Sequence, residues 1–178
     1  MNICLVNPPS PFLIDPKVFP PLGLMSIYAT LHDREGFPPH KGHRISFLDL
    51  NFDTLSSDLW KDADFILFTS TTPQYPHVLS LLKEMKRENP HATYVIGGAH
   101  PSCLPEVCSR DGFDVIVKGE GEIGVISALT SRFPKSHASL IIRHPPYPNI
   151  DQFPFPDRSC VRIHDYRYYI NAVSYTHL

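Results

Sequence analysis

The residues of this sequence that could do chemistry sit in a few short stretches. Thr69-Ser70-Thr71 lines up three hydroxyls after an apolar run. Gly97-Gly98-Ala99-His100 sets an imidazole just past a glycine pair, and Gly119 to Gly124 reads GEGEIG, with Glu120 and Glu122 between glycines. His40 and His43 form an H-x-x-H pair, and the four cysteines are Cys4, Cys103, Cys108 and Cys160. No serine occupies a G-x-S-x-G elbow, so nucleophilic acyl chemistry has no carrier. The histidine pair lies beside Pro38, Pro39 and Gly42 and reads as a solvated loop. The cysteine spacings fit no common zinc or iron–sulfur pattern and imply reduced, partly buried thiols, with Cys103 and Cys108 on a short helix. GEGEIG matches G-x-G-x-x-G letter for letter and lies between a strand and a helix. Its two carboxylates would nevertheless crowd an anionic pyrophosphate, and no acidic residue follows about 20 positions on, where a ribose partner belongs. The sequence therefore contains no self-contained catalytic site and no metal-ligand set, and points to binding.

The elements that must position these stretches alternate between strand and helix. Asn2 to Val6, Arg44 to Leu50, Asp64 to Thr69, Thr93 to Ile96 and the run ending at Lys118 read as strands, and the DFILFT run is apolar enough for a strand buried on both faces. Leu22 to Arg34 reads as a helix with Leu24, Ile27, Tyr28 and Leu31 on one side. Val78 to Glu88 places Leu81, Leu82 and Met85 inward. Short helices are expected over Leu55 to Trp60 and Pro105 to Arg110, with a last helix after GEGE and an extra edge strand in ASLIIR. This alternation predicts an α/β chain: a doubly wound, Rossmann-like or flavodoxin-like, five-stranded parallel sheet with helices on both faces and right-handed crossovers. Ligands of such folds lie beyond the carboxyl ends of the strands. Those ends carry NPPSPF, DLN, TSTTP, GGAHP and KGEGE. A receiver domain needs acidic residues after its first strand and an aspartate after its third; here those places hold Asn7 and Thr69-Ser70. A flavodoxin-type phosphate loop needs free N–H groups, which the proline-rich stretch after the first strand lacks.

The chain has 178 residues, 42% of them hydrophobic, and a net charge of −2. The charge supplies no electrostatic footprint for nucleic acid or an anionic membrane. No apolar run reaches the roughly 20 residues of a spanning helix. MNICLVNPP has no basic region ahead of its apolar stretch, so no leader is expected and the reading is cytoplasmic. Prolines number 19. Those at 8, 9, 11, 16, 20 and 21 deny regular structure to the stretch after the first strand, and those at 145, 146, 148, 154 and 156 read as an extended linker.

In combination these marks resemble the cobalamin-binding N-terminal domain of the cobalamin-dependent radical SAM enzymes. Five motifs carry the likeness, in order: Asn7-Pro8-Pro9 ending the first strand; Pro20-Pro21-Leu22-Gly23 entering the first helix; the TSTTP loop; Gly97-Gly98 with His100; and Gly119-Glu120-Gly121-Glu122. The likeness runs from residue 1 to about 133 and continues weakly through FPFPDRSCVRIHDY. It implies that the nucleotide tail of cobalamin enters the carboxyl edge of the sheet. There Gly97 and Gly98 would let it pass against the backbone, Thr69, Ser70 and Thr71 would contact it, and Gly119 and Gly121 would line its other side. Glu120 and Glu122 would cap their own helix. On this reading Gly98→Val blocks cofactor binding and leaves the fold intact. The alternative is a cofactor-free module, or one that takes a nucleotide or flavin on the same rim.

Two departures from relatives of this type shape the expectation. The D-x-H-x-x-G motif that places a histidine on cobalt in cobalamin methyltransferases is missing, since Asn7 to Gly23 contains no histidine; Phe12, Leu13 and Ile14 would instead face the cofactor. The C-x-x-x-C-x-x-C that holds a [4Fe–4S] cluster is also missing. S-adenosylmethionine and the cluster would then belong to a radical SAM domain in cis, beyond a cobalamin-binding unit at 1–142 and a linker at 143–178. The chain is accordingly expected to be cut short ahead of that domain, and to bind without catalysing.

Overall fold

The computed structural model describes residues 1–33, 44–55, 58–131, 139–145 and 149–167. The strands are β1 (Asn2–Asn7), β2 (Arg44–Asp49), β3 (Phe65–Thr69), β4 (Thr93–Gly97), β5 (Val115–Lys118) and β6 (Leu140–Arg143). The helices are α1 (Leu22–Asp33), α2 (Tyr75–Glu88), α3 (Ala99–Cys103), α4 (Pro105–Arg110) and α5 (Gly121–Thr130). All strand pairings are parallel, in the order β2-β1-β3-β4-β5-β6. The chain starts in β1, steps to one side for β2 and returns to the other for β3, so the switch point lies between β1 and β3.

Alternation along each strand sorts the core into two layers. Cys4, Val6, Ile66, Phe68, Tyr94, Ile96 and Ile116 face α2 and pack with Val78, Leu82 and Met85. Ile3, Leu5, Leu67, Val95, Val115 and Val117 face α1 and α5 and pack with Leu31, Val125, Ala128 and Leu129. Cys4 is wholly enclosed, and burial pushes its thiol up to about 12. α5 lies beside α1, on the face opposite to α2, although β5→β6 and β3→β4 step the same way across the sheet. Judged by where α5 lies, the last connection therefore has the opposite hand to the one through α2, against the expectation of right-handed crossovers throughout.

The doubly wound parallel sheet stands, with six strands instead of five because ASLIIR pairs with β5. The expected helix at Leu55 to Trp60 is turn where it is described; Trp60 is anchored there by its Nε1–H donating to the Leu55 carbonyl at 2.9 Å. Cys103 and Cys108 do not share one helix. Cys103 ends α3 and Cys108 is buried in α4, with Leu104 between them. The H-x-x-H pair at 40 and 43, Pro146 and Pro148 lie outside the described residues. The proline-rich segment is not a free linker over 149–167. It folds back on the domain through three short 3-10 turns, with Asp157 N donating to the Met25 carbonyl at 3.2 Å and Tyr166 buried.

Candidate cofactor-binding site

A cavity of about 200 Å³ opens between the α1/α5 layer and the carboxyl ends of β3, β4 and β5. Its walls are Leu24 and Ile27 of α1, Leu67, Val95 and Val117 of the sheet, and Val125 of α5, with Thr69 at the mouth. Five glycines border it: Gly23, Gly97, Gly98, Gly119 and Gly121.

The chain's own geometry explains three of them. Gly98 has φ +104°, and a Cβ there would lie 2.9 Å from the Ser70 carbonyl oxygen and 3.0 Å from Thr69 Oγ1. Gly119 has φ +91°, a left-handed conformation that disfavours side chains. A Cβ on Gly121 would lie 2.9 Å from Ile27 Cδ1, so this glycine lets α5 approach α1. Gly124, the last glycine of GEGEIG, plays the same part against the sheet, where a Cβ would lie 2.2 Å from Val117 Cγ1. The GEGEIG glycines thus serve a turn and two close helix contacts.

Gly23 and Gly97 have no such reason. Neither has positive φ; a Cβ on Gly23 would meet nothing within 4 Å, and one on Gly97 only Val117, at 3.8 Å and beyond. Both border the cavity, Gly23 beside open space and Gly97 where a Cβ would only just touch Val117. The two glycines of the pair thus differ: Gly98 is required by its backbone, and Gly97 borders the cavity without such a requirement.

Thr69 also borders a second, shallower concavity of about 440 Å³ above the β1/β3 switch point. Asn7, Ser10, Thr71 and Gln74 supply its polar side, and Phe12, Leu13 and Phe19 its apolar rim. Gln74 holds it together. Its amide oxygen accepts from Thr71 N at 3.0 Å and Thr71 Oγ1 at 2.9 Å, and its Nε2 donates to Ser10 Oγ at 2.8 Å. The Ser70 hydroxyl is turned away, donating to the Thr71 carbonyl at 2.9 Å. Pro8 is buried and Pro9 half-buried at the start of the loop, and Leu22 is exposed beside Gly23.

Two sequence expectations change here. His100 is outside both concavities. Its ring stacks on Tyr75 with centroids 3.8 Å apart, Nδ1 lies 3.2 Å from Thr72 Oγ1, and Nε2 is buried without a partner. Burial holds its pKa below the ordinary imidazole value. The glutamates are not helix caps as expected: Glu120 at the N-cap makes no side-chain cap bond, and Glu122 accepts from Ser26 Oγ of α1 at 2.7 Å, tying α5 to α1. Sequence reasoning also missed Gln74, whose buried polar role appears only once the loops converge. The one available signal for Gln74 was a polar residue just ahead of Tyr75-Pro76 at a helix start.

The deep apolar slot and the adjoining dish fit a ligand with a flat, narrow tail and a broad head, as cobalamin has. The B12 binding domain model matches residues 16–129, more than half of the chain. A protein of Pyrococcus horikoshii named as an uncharacterized methyltransferase is 28% identical over 192 aligned residues, covering 94% of this chain. The chain spans only 40% of that relative's length. No solved structure gives a significant match. Fold, cavity and sequence match converge on one assignment, and the chain belongs to the B12-binding domain family.

Proposed function

We propose that this chain binds cobalamin, with the nucleotide tail in the cavity and the corrin over the dish, as the N-terminal domain of a cobalamin-dependent radical SAM enzyme. The observation that carries the binding is the pair Gly23 and Gly97, two glycines that neither backbone nor packing requires, on the walls of one slot. Leu24, Ile27, Val95 and Val117 exclude water from the tail, Thr69 presents its hydroxyl where slot and dish meet, and the Gln74 bonds hold the dish in shape. When bound, cobalamin would supply methyl transfer or radical chemistry. The name of the Pyrococcus relative favours methyl transfer, and the greater length of that protein leaves room for a further domain. On this reading residues 1–142 are the cobalamin unit, residues 143–178 lead to a radical SAM domain in cis that holds S-adenosylmethionine and the [4Fe–4S] cluster, and the protein works in the cytoplasm. Among the described residues, no helix is long and apolar enough to cross a membrane.

The test is gel filtration of the chain with excess hydroxocobalamin, and in parallel with flavin mononucleotide or NAD. The proposal expects corrin absorbance to travel with the protein and neither of the others to do so. Corrin eluting entirely as free ligand, or a retained flavin, would overturn it.

A further inference from the structure

Asp49, at the carboxyl end of β2, is buried and serves three donors. Asn7 Nδ2 lies 2.9 Å from its Oδ1 and Asn51 N 3.2 Å, while the Tyr166 hydroxyl donates to Oδ2. Tyr166 belongs to a strap, residues 157–167, that crosses this corner of the sheet. Its ring meets Phe52 edge-on with centroids 5.0 Å apart, and only 4% of its surface is exposed. Arg167, the next residue, grips the loop that rims the dish. Its amide N donates to the Lys17 carbonyl at 2.7 Å, and its guanidinium lies 3.3 Å from Asp15. The Lys17 ammonium in turn sits 4.5 Å above the Phe52 ring. The near half of that loop is held from the other side by Gln74, through the Pro8 carbonyl and Ser10. Between these two holds stand Phe12 and Leu13, half or nearly half exposed toward the dish.

We infer that Tyr166 and Arg167 are positioning residues for this loop. The strap fixes residues 15–17, and through them the apolar rim at Phe12 and Leu13, so that strap docking and cofactor binding favour each other. The inference rests on the cobalamin reading for its ligand, not for its mechanics. The strap is built to release. The ion pairs of Arg162 with Asp53 and of Arg167 with Asp15 are more than half exposed on the arginine side, where such pairs contribute little. Beside the backbone bonds of Asp157 to Met25 and of Arg167 to Lys17, docking then rests on the Tyr166 ring and hydroxyl. If Tyr166 leaves, Asp49 keeps Asn7 and Asn51 and gains water, so the sheet is not disrupted and a local opening is accessible. Coupling of this kind is reciprocal: a strap that orders the rim for the cofactor is itself held by the cofactor.

Tyr166→Phe keeps the ring on Phe52 and removes the hydroxyl, which separates positioning from packing. Without cofactor, trypsin should cut this variant after Lys17 roughly tenfold faster than the parent, the change expected for a lost hydrogen bond to a charged acceptor. Cutting after Arg110, in α4, should stay unchanged, while the Tm should fall by no more than a few degrees. Hydroxocobalamin should slow cutting of the parent after Arg162, since a ligand that favours the docked strap lowers its open fraction. Unchanged cutting after Lys17, or faster cutting at every site alike, would overturn the inference, as would cutting of the parent after Arg162 that bound hydroxocobalamin leaves unchanged. Failure of the parent to bind hydroxocobalamin would sink the cobalamin reading and the coupling with it, while the cofactor-free digest would still report whether the strap orders the loop.

Discussion

The two faces of the sheet are made from the same strands and differ in what they leave out. Toward α2, β3 sends Ile66 and Phe68, β4 sends Tyr94 and Ile96, and β5 sends Ile116; these fill the layer against Val78, Leu82 and Met85. Toward α1 and α5 the same strands send Leu67, Val95, Val117 and finally Gly97, so side chains shrink toward the carboxyl end and a slot remains. Protein interiors are otherwise close-packed, and an apolar gap lined by small residues forgoes contact energy. The strands thus fill one face completely and leave a slot on the other, and the slot is written in residue size and not in any catalytic side chain.

Substitutions that invert this division should show it. On the filled face Ile66→Ala should destabilise by about 2–5 kcal/mol in urea denaturation. The adjacent Leu67→Ala, which already borders a cavity, should fall at the low end of that range, near about 2 kcal/mol. Equal losses would contradict the asymmetry. On the open face Gly97→Val should weaken hydroxocobalamin binding roughly a hundredfold, about 2.7 kcal/mol, with little change in Tm, because its Cβ has room and only its methyls invade the slot. Gly98→Val, in contrast, should damage folding itself. Gly124→Ala should destabilise by about 1–3 kcal/mol by forcing α5 off Val117; a neutral result would show that α5 shifts freely and that the slot has no fixed width.

The smallest effect concerns His100, on the α2 side of the rim. Its folded pKa is depressed by burial, with nearby Asp111 acting in the opposite sense. The unfolded chain therefore takes up the proton at higher pH than the folded one. Stability is full above the ordinary histidine pKa and is lost as pH falls from that value through the lower folded one. His100→Asn should flatten the difference between urea midpoints at pH 8 and pH 5. A slope identical to the parent's would mean that the buried ring is not what titrates.

Much of this was legible in the chain and some was not, for physical reasons. Strand and helix positions follow from periodicity, and the rim follows from where glycine, proline and hydroxyl residues interrupt it, as at TSTTP and GGAHP. Which member of Gly97-Gly98 is required by its own backbone was not legible, since that depends on φ and on a carbonyl contributed by Ser70, both products of the folded loop. His100 was misplaced for the same reason: α3 begins at once after Gly98 and turns the imidazole onto Tyr75. The strap was hidden by composition. Prolines forbid helix and ladder but not docking, and Tyr166 finds Asp49 at a sequence distance of 117 residues, which no local pattern reports.

On the proposed reading, the slot between α1, α5 and the sheet receives the nucleotide tail of cobalamin. The most direct measurement compares equilibrium affinities for hydroxocobalamin and for cobinamide, the corrin that lacks the nucleotide, in the parent and in Gly97→Val. The account predicts that the parent prefers the tailed cofactor by roughly a hundredfold, about 2.7 kcal/mol, and that Gly97→Val removes this preference while leaving cobinamide binding as it was. Equal affinities in the parent, or a preference that survives Gly97→Val intact, would contradict it.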